Sequence, residues 1–205
     1  MYDKETVSSD CELTLKNRKK LFQNKNLLYW YTKLFEFQFS DINNIFEKKI
    51  LEVGSGTSPL KLFYRNVLTS DILDLDYLDI VCDCHNIDEY EKIKRESLDI
   101  IVSINVLHHL KDPLKYLLSA ANLLKKGGFV IITEPYFSFS SKIIYEKIHH
   151  EYSSFDIKEP VISKIEGPLK SANIALPFLI FFGNRGWDNT LKVVYKVDDS
   201  SINYF

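Results

Sequence analysis

Apolar positions recur along this chain in two rhythms. Over residues 27–39 (LLYWYTKLFEFQF) the spacing is helical: Leu27, Tyr31, Leu34 and Phe35 share one face, with Trp30, Phe37 and Phe39 beside it. The pattern predicts an amphipathic helix docked on the core, one that can also cover a ligand cleft. After Lys49 short apolar runs of strand length take over, at 50–53, 67–71, 78–82, 98–104 and 129–133. Between the last two, Leu114, Leu117, Leu118, Ala121 and Leu124 return to helical spacing. Asp112 can cap that helix, Pro113 suits its first position, and Gly127 with Gly128 is expected to stop it. Apolar strands alternating with amphipathic helices predict a mostly parallel sheet with helices on both faces. Beyond Pro135 the rhythm loosens. A helix is expected over 140–150, a turn at Gly167 and Pro168, an apolar stretch over 171–182 interrupted by Pro177, and a late strand over 191–197 (LKVVYKV).

Composition narrows the function classes. With 205 residues, 45% of them hydrophobic, the chain is expected to form one domain with a real core. A formal charge of -2 gives no global field toward nucleic acid or anionic lipid. The one basic cluster, Lys16 to Lys20 with Arg18, reads as a solvated helix face. The most apolar run, LPFLIFF at 176–182, is far shorter than the ~20 residues of a spanning helix, so no membrane span is expected. The polar, acidic start MYDKETVSSDCE is unlike a secretory signal. Cys11, Cys82 and Cys84 are odd in number, and the last two stand as C-D-C rather than C-x-x-C. The expectation is a soluble, cytoplasmic protein without a metal site.

In an open parallel sheet the ligand sits past the carboxyl ends of the strands. The residues there are Glu52 with Gly54 and Gly56, then Asp71, Asp83, Ser103 to His109, and Glu134. The loop Gly54, Ser55, Gly56, Thr57, Ser58, Pro59 could serve a dinucleotide or another nucleoside. It lacks a third glycine, and Pro59 has no amide to offer a pyrophosphate. Such an acid-lined cleft suits a ligand that carries positive charge and no phosphates.

These residues carry a resemblance. LEVGSG at 51–56, an acid at Asp71, CDCHN at 82–86, and SINVLHHLKDPLKYLLSAANLLKKGGFVIITEP at 103–135 together resemble a class I S-adenosylmethionine-dependent methyltransferase, over roughly residues 49–135. The resemblance implies a Rossmann-like sheet and S-adenosylmethionine as cofactor. It places the backbone of Gly54, Ser55 and Gly56 under the methionine part, with Glu52 near the ammonium. Asp71, with Ile72 beside it, would take the ribose hydroxyls, and Asp83 the adenine amino group. Cys84 and His85 would flank the ring, and Asn105 with Val106 would close the site near the sulfonium. His108 is expected to pack or satisfy backbone groups. His109, Glu134 and His149 are the candidates for a general base, needed only where the acceptor holds its proton at neutral pH. His149 and His150 are adjacent and point about 100° apart on a helix, which argues against a shared metal ion.

The tail, EPYFSFSSKIIYEKIHHE at 134–151 and GPLKSANIALPFLIFF at 167–182, resembles a narrower bacterial subgroup of methyltransferases, some associated with sugars or surface polysaccharide precursors. Trp30, Tyr136, Tyr145 and His150 are then expected to line the acceptor pocket. INYF at 202–205 resembles the start of a motif past which that subgroup continues, so the last strand of the family's sheet is open to being absent. The expected organisation is one methyltransferase domain over 1–205: a helical cover (1–48), a cofactor-binding core (49–135) and a substrate-side segment with a late strand (136–205). The expected activity is methyl transfer to a small-molecule acceptor. A nicotinamide-dependent oxidoreductase and a non-catalytic binding subunit are the alternatives.

Overall fold

A computed structural model describes residues 4–138, 152–163 and 165–196. Two helices open the chain, α1 (Lys4–Gln23) and α2 (Lys25–Gln38). They are separated by Asn24, whose side-chain oxygen accepts from the amides of Asn26 (3.0 Å) and Leu27 (3.2 Å) and so caps α2. The sheet follows, with β1 (Ile50–Val53), β2 (Val67–Asp71), β3 (Ile80–Val81), β4 (Leu98–Ile104) and β5 (Leu124–Thr133). Their order is β3-β2-β1-β4-β5, and every pair between them is parallel. The helices between strands are α3 (Leu60–Phe63) and α4 (Pro113–Ala121), and α5 (Ala175–Phe181) comes after the sheet.

Alternation along the strands builds two cores. Ile50, Val67, Ile100 and Val102 meet Phe35 of α2, Phe39 just past its end and Leu60 of α3 on one face. Leu51, Val53 and Ile101 meet Tyr116, Leu117 and Ala120 of α4 on the other. Phe35 is fully buried. Its truncation to alanine would cost about 3–5 kcal/mol. Tyr31, Leu34, Phe35 and Phe39 of the 27–39 stripe are therefore core packing, while Leu27 (44% exposed) and Trp30 (42%) lie outside it.

Three elements differ from expectation. The glycines at 127 and 128 do not stop α4, which already ends at Ala121. They sit inside β5, where the register jumps from Leu98↔Leu124 to Ile100↔Phe129. Gly127 takes φ +80°, and a Cβ on Gly128 would come within 3.0 Å of the Asp99 carbonyl oxygen. A wide bulge at a sheet edge needs that freedom. The run 78–82 contributes only two strand residues. In place of a late strand, residues Trp187–Val193 form a 3-10 helix whose Leu191 is buried while Val193 is 86% exposed. The helix expected over 140–150 lies outside the described residues. Pro177 does not interrupt α5, because it falls in the first turn, where no intrahelical donor is needed. No helix among the described residues is long and apolar enough to cross a membrane.

Candidate cofactor site

The sheet's carboxyl ends bring Glu52, the 54–58 loop, Asp71 and the turn after β4 together. The chain leaves β1 at Gly54, whose φ is +70°. A Cβ there would sit 2.4 Å from Cγ2 of Val106, so Gly54 rather than Gly56 is the position that admits no side chain. Val106 thus packs the β4 turn against the glycine loop. Ser55 is a tie between strands: its amide donates to the Ser70 carbonyl (2.9 Å), and its hydroxyl accepts from the Ser70 amide (3.1 Å) and donates to the Glu52 carbonyl (3.2 Å). The buried Ser55 side chain is spent on the fold, and only its backbone is expected at the ligand.

Two carboxylates stand on either side of this loop. Glu52 is 2% exposed; its Oε1 accepts from the Ser58 hydroxyl, and its Oε2 has no hydrogen-bond partner among the described residues. Burial pushes its pKa up to about 7, against the pull of Ser58, Ser55 and the Arg18 charge. Asp71 accepts from the amides of Gly56 (2.9 Å) and Leu73 (3.0 Å), and burial raises its pKa. Each of its oxygens keeps acceptor capacity beyond one amide, as a vicinal diol requires. Ile72 follows at the bend, half-buried.

Past β3, Asp83 opens a 3-10 segment, Cys84–Glu89. His85 accepts the Asp112 amide at Nε2 (3.2 Å) and donates from Nδ1 to Asp83 (2.6 Å). That hydrogen bond holds the Asp83 carboxyl below its usual range. Asp83, Cys84 and His85 have their ligand atoms within 4.8 Å of one another. Both ring nitrogens of His85 are engaged, however, and burial pushes the Cys84 thiol well up, so the trio does not present metal ligands. Cys84 packs in the core with Ile87 and Tyr116.

The β4–β5 end is built differently. Asn105 is exposed, in the left-handed region (φ +56°), and its amide donates to the Thr133 carbonyl (2.9 Å). Glu134 Oε1 accepts from the amides of Val106 and Leu107 (2.7 Å each), and Oε2 accepts from Nδ1 of the buried His108. With both oxygens engaged, Glu134 anchors the Leu107–His109 turn; this corrects its candidacy as a base. His109 donates Nδ1–H to the Ser171 carbonyl (2.9 Å). Tyr136 packs edge-on against Phe178 and Phe182, with centroids 5.4 and 5.5 Å away. Tyr145, His149 and His150 lie outside the described residues.

The cover over the glycine loop is α1, not α2. Arg18 is held between Phe22 (4.4 Å) and Tyr77 (3.9 Å) and donates to the Ser58 carbonyl (2.7 Å), with the Gly56 carbonyl at 3.5 Å. The Tyr77 hydroxyl donates to the same Gly56 carbonyl (2.7 Å). Nearer its start, α1 buries Asp10, which accepts from the Leu169 amide (3.2 Å). One helix therefore touches both the glycine loop and the segment after β5. Arg18 corrects the solvated reading of the basic cluster, while Lys16, Lys19 and Lys20 are exposed as expected.

A parallel sheet in the order β3-β2-β1-β4-β5, with a glycine loop after β1 and acids after β2 and β3, is the Rossmann-like fold of class I S-adenosylmethionine-dependent methyltransferases. The chain belongs to the methyltransferase-domain family, whose model matches residues 15–159. Among solved structures it is similar to the trans-methyltransferase CalH in complex with SAH (20% identity, TM-score 0.35, covering 42% of this chain and 31% of that one). It is also similar to the CMeT domain of the citrinin polyketide synthase (16%, 0.42, 53% and 35%). A third is Haemonchus contortus phosphoethanolamine N-methyltransferase 2 in complex with S-adenosyl-L-methionine (18%, 0.32, 60% and 37%). The matched part spans 31–37% of these structures' own length. None of the curated proteins compared matches the chain.

Proposed function

We propose that this chain binds S-adenosylmethionine at the carboxyl ends of β1, β2 and β4 and transfers its methyl group to a small-molecule acceptor, with a sugar or surface polysaccharide precursor as the acceptor class. The observation that carries the cofactor reading is the buried Glu52 carboxylate beside the glycine loop, whose Oε2 lacks a partner among the described residues. A buried carboxylate oxygen in that state is satisfied by a cationic group such as an ammonium. Asp71 would take the ribose hydroxyls and Asp83 the adenine amino group, with Ile72 and His85 beside them. Gly54 and Gly56 would supply backbone, and Asn105 with Val106 would close the sulfonium end. The nicotinamide alternative fits poorly. The Gly56 amide is already donated to Asp71, and the helix after the loop has only four residues, so no helix N-terminus is built for a pyrophosphate.

When bound, the cofactor supplies a methyl carbon on a sulfonium, which leaves with the S–C electron pair as an acceptor atom forms the new bond. The chain's own task is to align the acceptor and exclude water. His109 would be the candidate to take the acceptor's proton where one must be removed. Tyr136 with Phe178 and Phe182 offers an aromatic wall for the apolar face of a sugar ring. Incubating the protein with methyl-labelled cofactor and fractionated bacterial sugar precursors tests the reading. Label transferred to one carbohydrate fraction is expected; transfer to another class corrects the acceptor, and SAH binding without any transfer favours a non-catalytic subunit.

A further inference from the structure

The two edges of the sheet are finished in different ways. At one, β3 has only Ile80 and Val81, with Asp79 before it and Asp83 shortly after, so it offers little backbone to a further strand. At the other, β5 (Leu124–Thr133) is long, and after Lys125 and Lys126 it carries no charge from Gly127 to Thr133. Val130 and Ile132 pack toward the α4 core and Ile131 toward the α2 core, the composition of an interior parallel strand. Yet its one partner among the described residues is β4, and Phe129 is 55% exposed.

Pairing with β4 uses half of the β5 backbone. The Thr133 carbonyl accepts from the Asn105 amide (2.9 Å), so Thr133, and by strand alternation Ile131 and Phe129, turn their backbone groups to β4. Val130 and Ile132 turn theirs outward, where no hydrogen bond meets them among the described residues. A row of amides and carbonyls between apolar side chains is answered by another strand. A second β5 fits the row when it runs antiparallel about a two-fold axis at Ile131. Val130 then exchanges both bonds with the partner's Ile132, Ile132 does so with the partner's Val130, and the two Ile131 side chains meet as a non-hydrogen-bonded pair. Charge selects the same arrangement. The two Lys126 residues fall about 34 Å apart at ~3.4 Å per residue, well beyond the roughly 8 Å Debye length of physiological salt, whereas parallel pairing would set them side by side.

We propose that two copies of this chain join β5 to β5, antiparallel and centred on Ile131, so that the two sheets become one. The contact is isologous and closes as a dimer. It sets the exposed Phe129 beside the partner's Thr133 and turns the two carboxyl edges, each with its Glu52 and Asp71, toward opposite ends of the assembly. The inference is independent of which ligand those edges take.

Sedimentation of the chain from micromolar to hundreds of micromolar concentration tests it, with a mass of twice 24.0 kDa expected at the upper end. Val130→Pro removes an outward N–H and spares the β4 ladder, so it should weaken the dimer at least about tenfold. Phe129→Lys, at an exposed position, should act in the same direction by charging the edge, and it keeps the test decisive should the proline variant not fold. Phe46→Lys, at a position 68% exposed and outside the sheet, should change nothing. Under oxidising conditions Ile131→Cys should give a disulfide-linked dimer, since non-hydrogen-bonded partners lie about 4.5 Å apart at Cα, and Phe129→Cys should not. A monomer throughout the range overturns the proposal, as does a dimer that both edge variants leave unchanged or that Ile131→Cys fails to link. A monomer whose Val130 and Ile132 amides resist hydrogen exchange would give the edge to another segment of the same chain, and overturns it as well.

Discussion

The carboxyl edge of the sheet holds one glutamate past β1 and another past β5, both with buried side chains, and the two are used in opposite ways. Glu134, at the β4–β5 end, accepts two backbone amides and a histidine N–H, and it shapes the turn that carries His109. Glu52, at the β1 end, accepts one hydroxyl at Oε1 and has no partner for Oε2 among the described residues. A saturated carboxylate is architecture. One with unmet hydrogen-bonding capacity in a buried position costs stability unless a ligand answers it. The difference separates a candidate base that the fold has consumed from a carboxylate oxygen that the proposed ligand would answer.

The sharpest break of this comparison is Glu134→Ala. Leaving two amides and His108 without their acceptor should cost about 3–5 kcal/mol, the range for truncating one partner of a buried charged pair, read from denaturant unfolding. A loss of turnover with unchanged stability would restore Glu134 as a base. Next in size, Asp71→Ala should weaken SAH by roughly 1.5–3 kcal/mol, as for hydrogen bonds to a charged group. Unchanged affinity in calorimetry with the fold intact would remove Asp71 from the ribose site.

A smaller effect is one of pH. In the folded chain Glu52 titrates at about 7 rather than 4.5, so the fold favours its neutral form. Its contribution to stability is then present at low pH and lost as pH rises from about 4.5 to about 7. Ligand ammonium requires the ionised form, so SAH should bind about fivefold tighter at pH 7 than at pH 6, following the ionised fraction. Glu52→Gln should bind more weakly and flatten that slope; a slope unchanged in the variant would assign it to another group. The smallest effect is expected at Trp30→Ala. Lying 42% exposed outside the α2 packing stripe, it should shift stability and SAH affinity by no more than ~0.5 kcal/mol. A larger loss of acceptor turnover would return Trp30 to the acceptor pocket.

Local rhythm made the sheet legible. Short apolar runs of strand length matched β1, β2 and β4 to the residue, and the Asp112-Pro113 start matched that of α4. What local rhythm missed depends on distant partners. Gly127 and Gly128 look like a helix stop until β4 is beside them to require a bulge. The 191–197 run has strand composition, yet Tyr195 turns its hydroxyl to the Leu117 carbonyl (2.6 Å) and Leu191 packs in the core from within a 3-10 helix. Arg18 stands among lysines and reads as solvated; only the fold brings a residue 38 positions before Gly56 against that glycine. The one available signal was that it alone in the cluster is arginine, the cation suited to a fixed planar contact. Glu134 was visible as a strand-end acid, but its saturation by Val106, Leu107 and His108 was not.

The central claim is that the cleft around Glu52, Asp71 and the glycine loop takes S-adenosylmethionine and not a dinucleotide. Thermal unfolding of the wild-type chain with SAH, and separately with NAD, tests it most directly. At a hundred times its dissociation constant a ligand adds about 2.7 kcal/mol, which for a chain of this length raises Tm by roughly 5–10 °C. The account predicts that rise with SAH and none with NAD at matched concentration; a rise with NAD alone, or with neither, contradicts it.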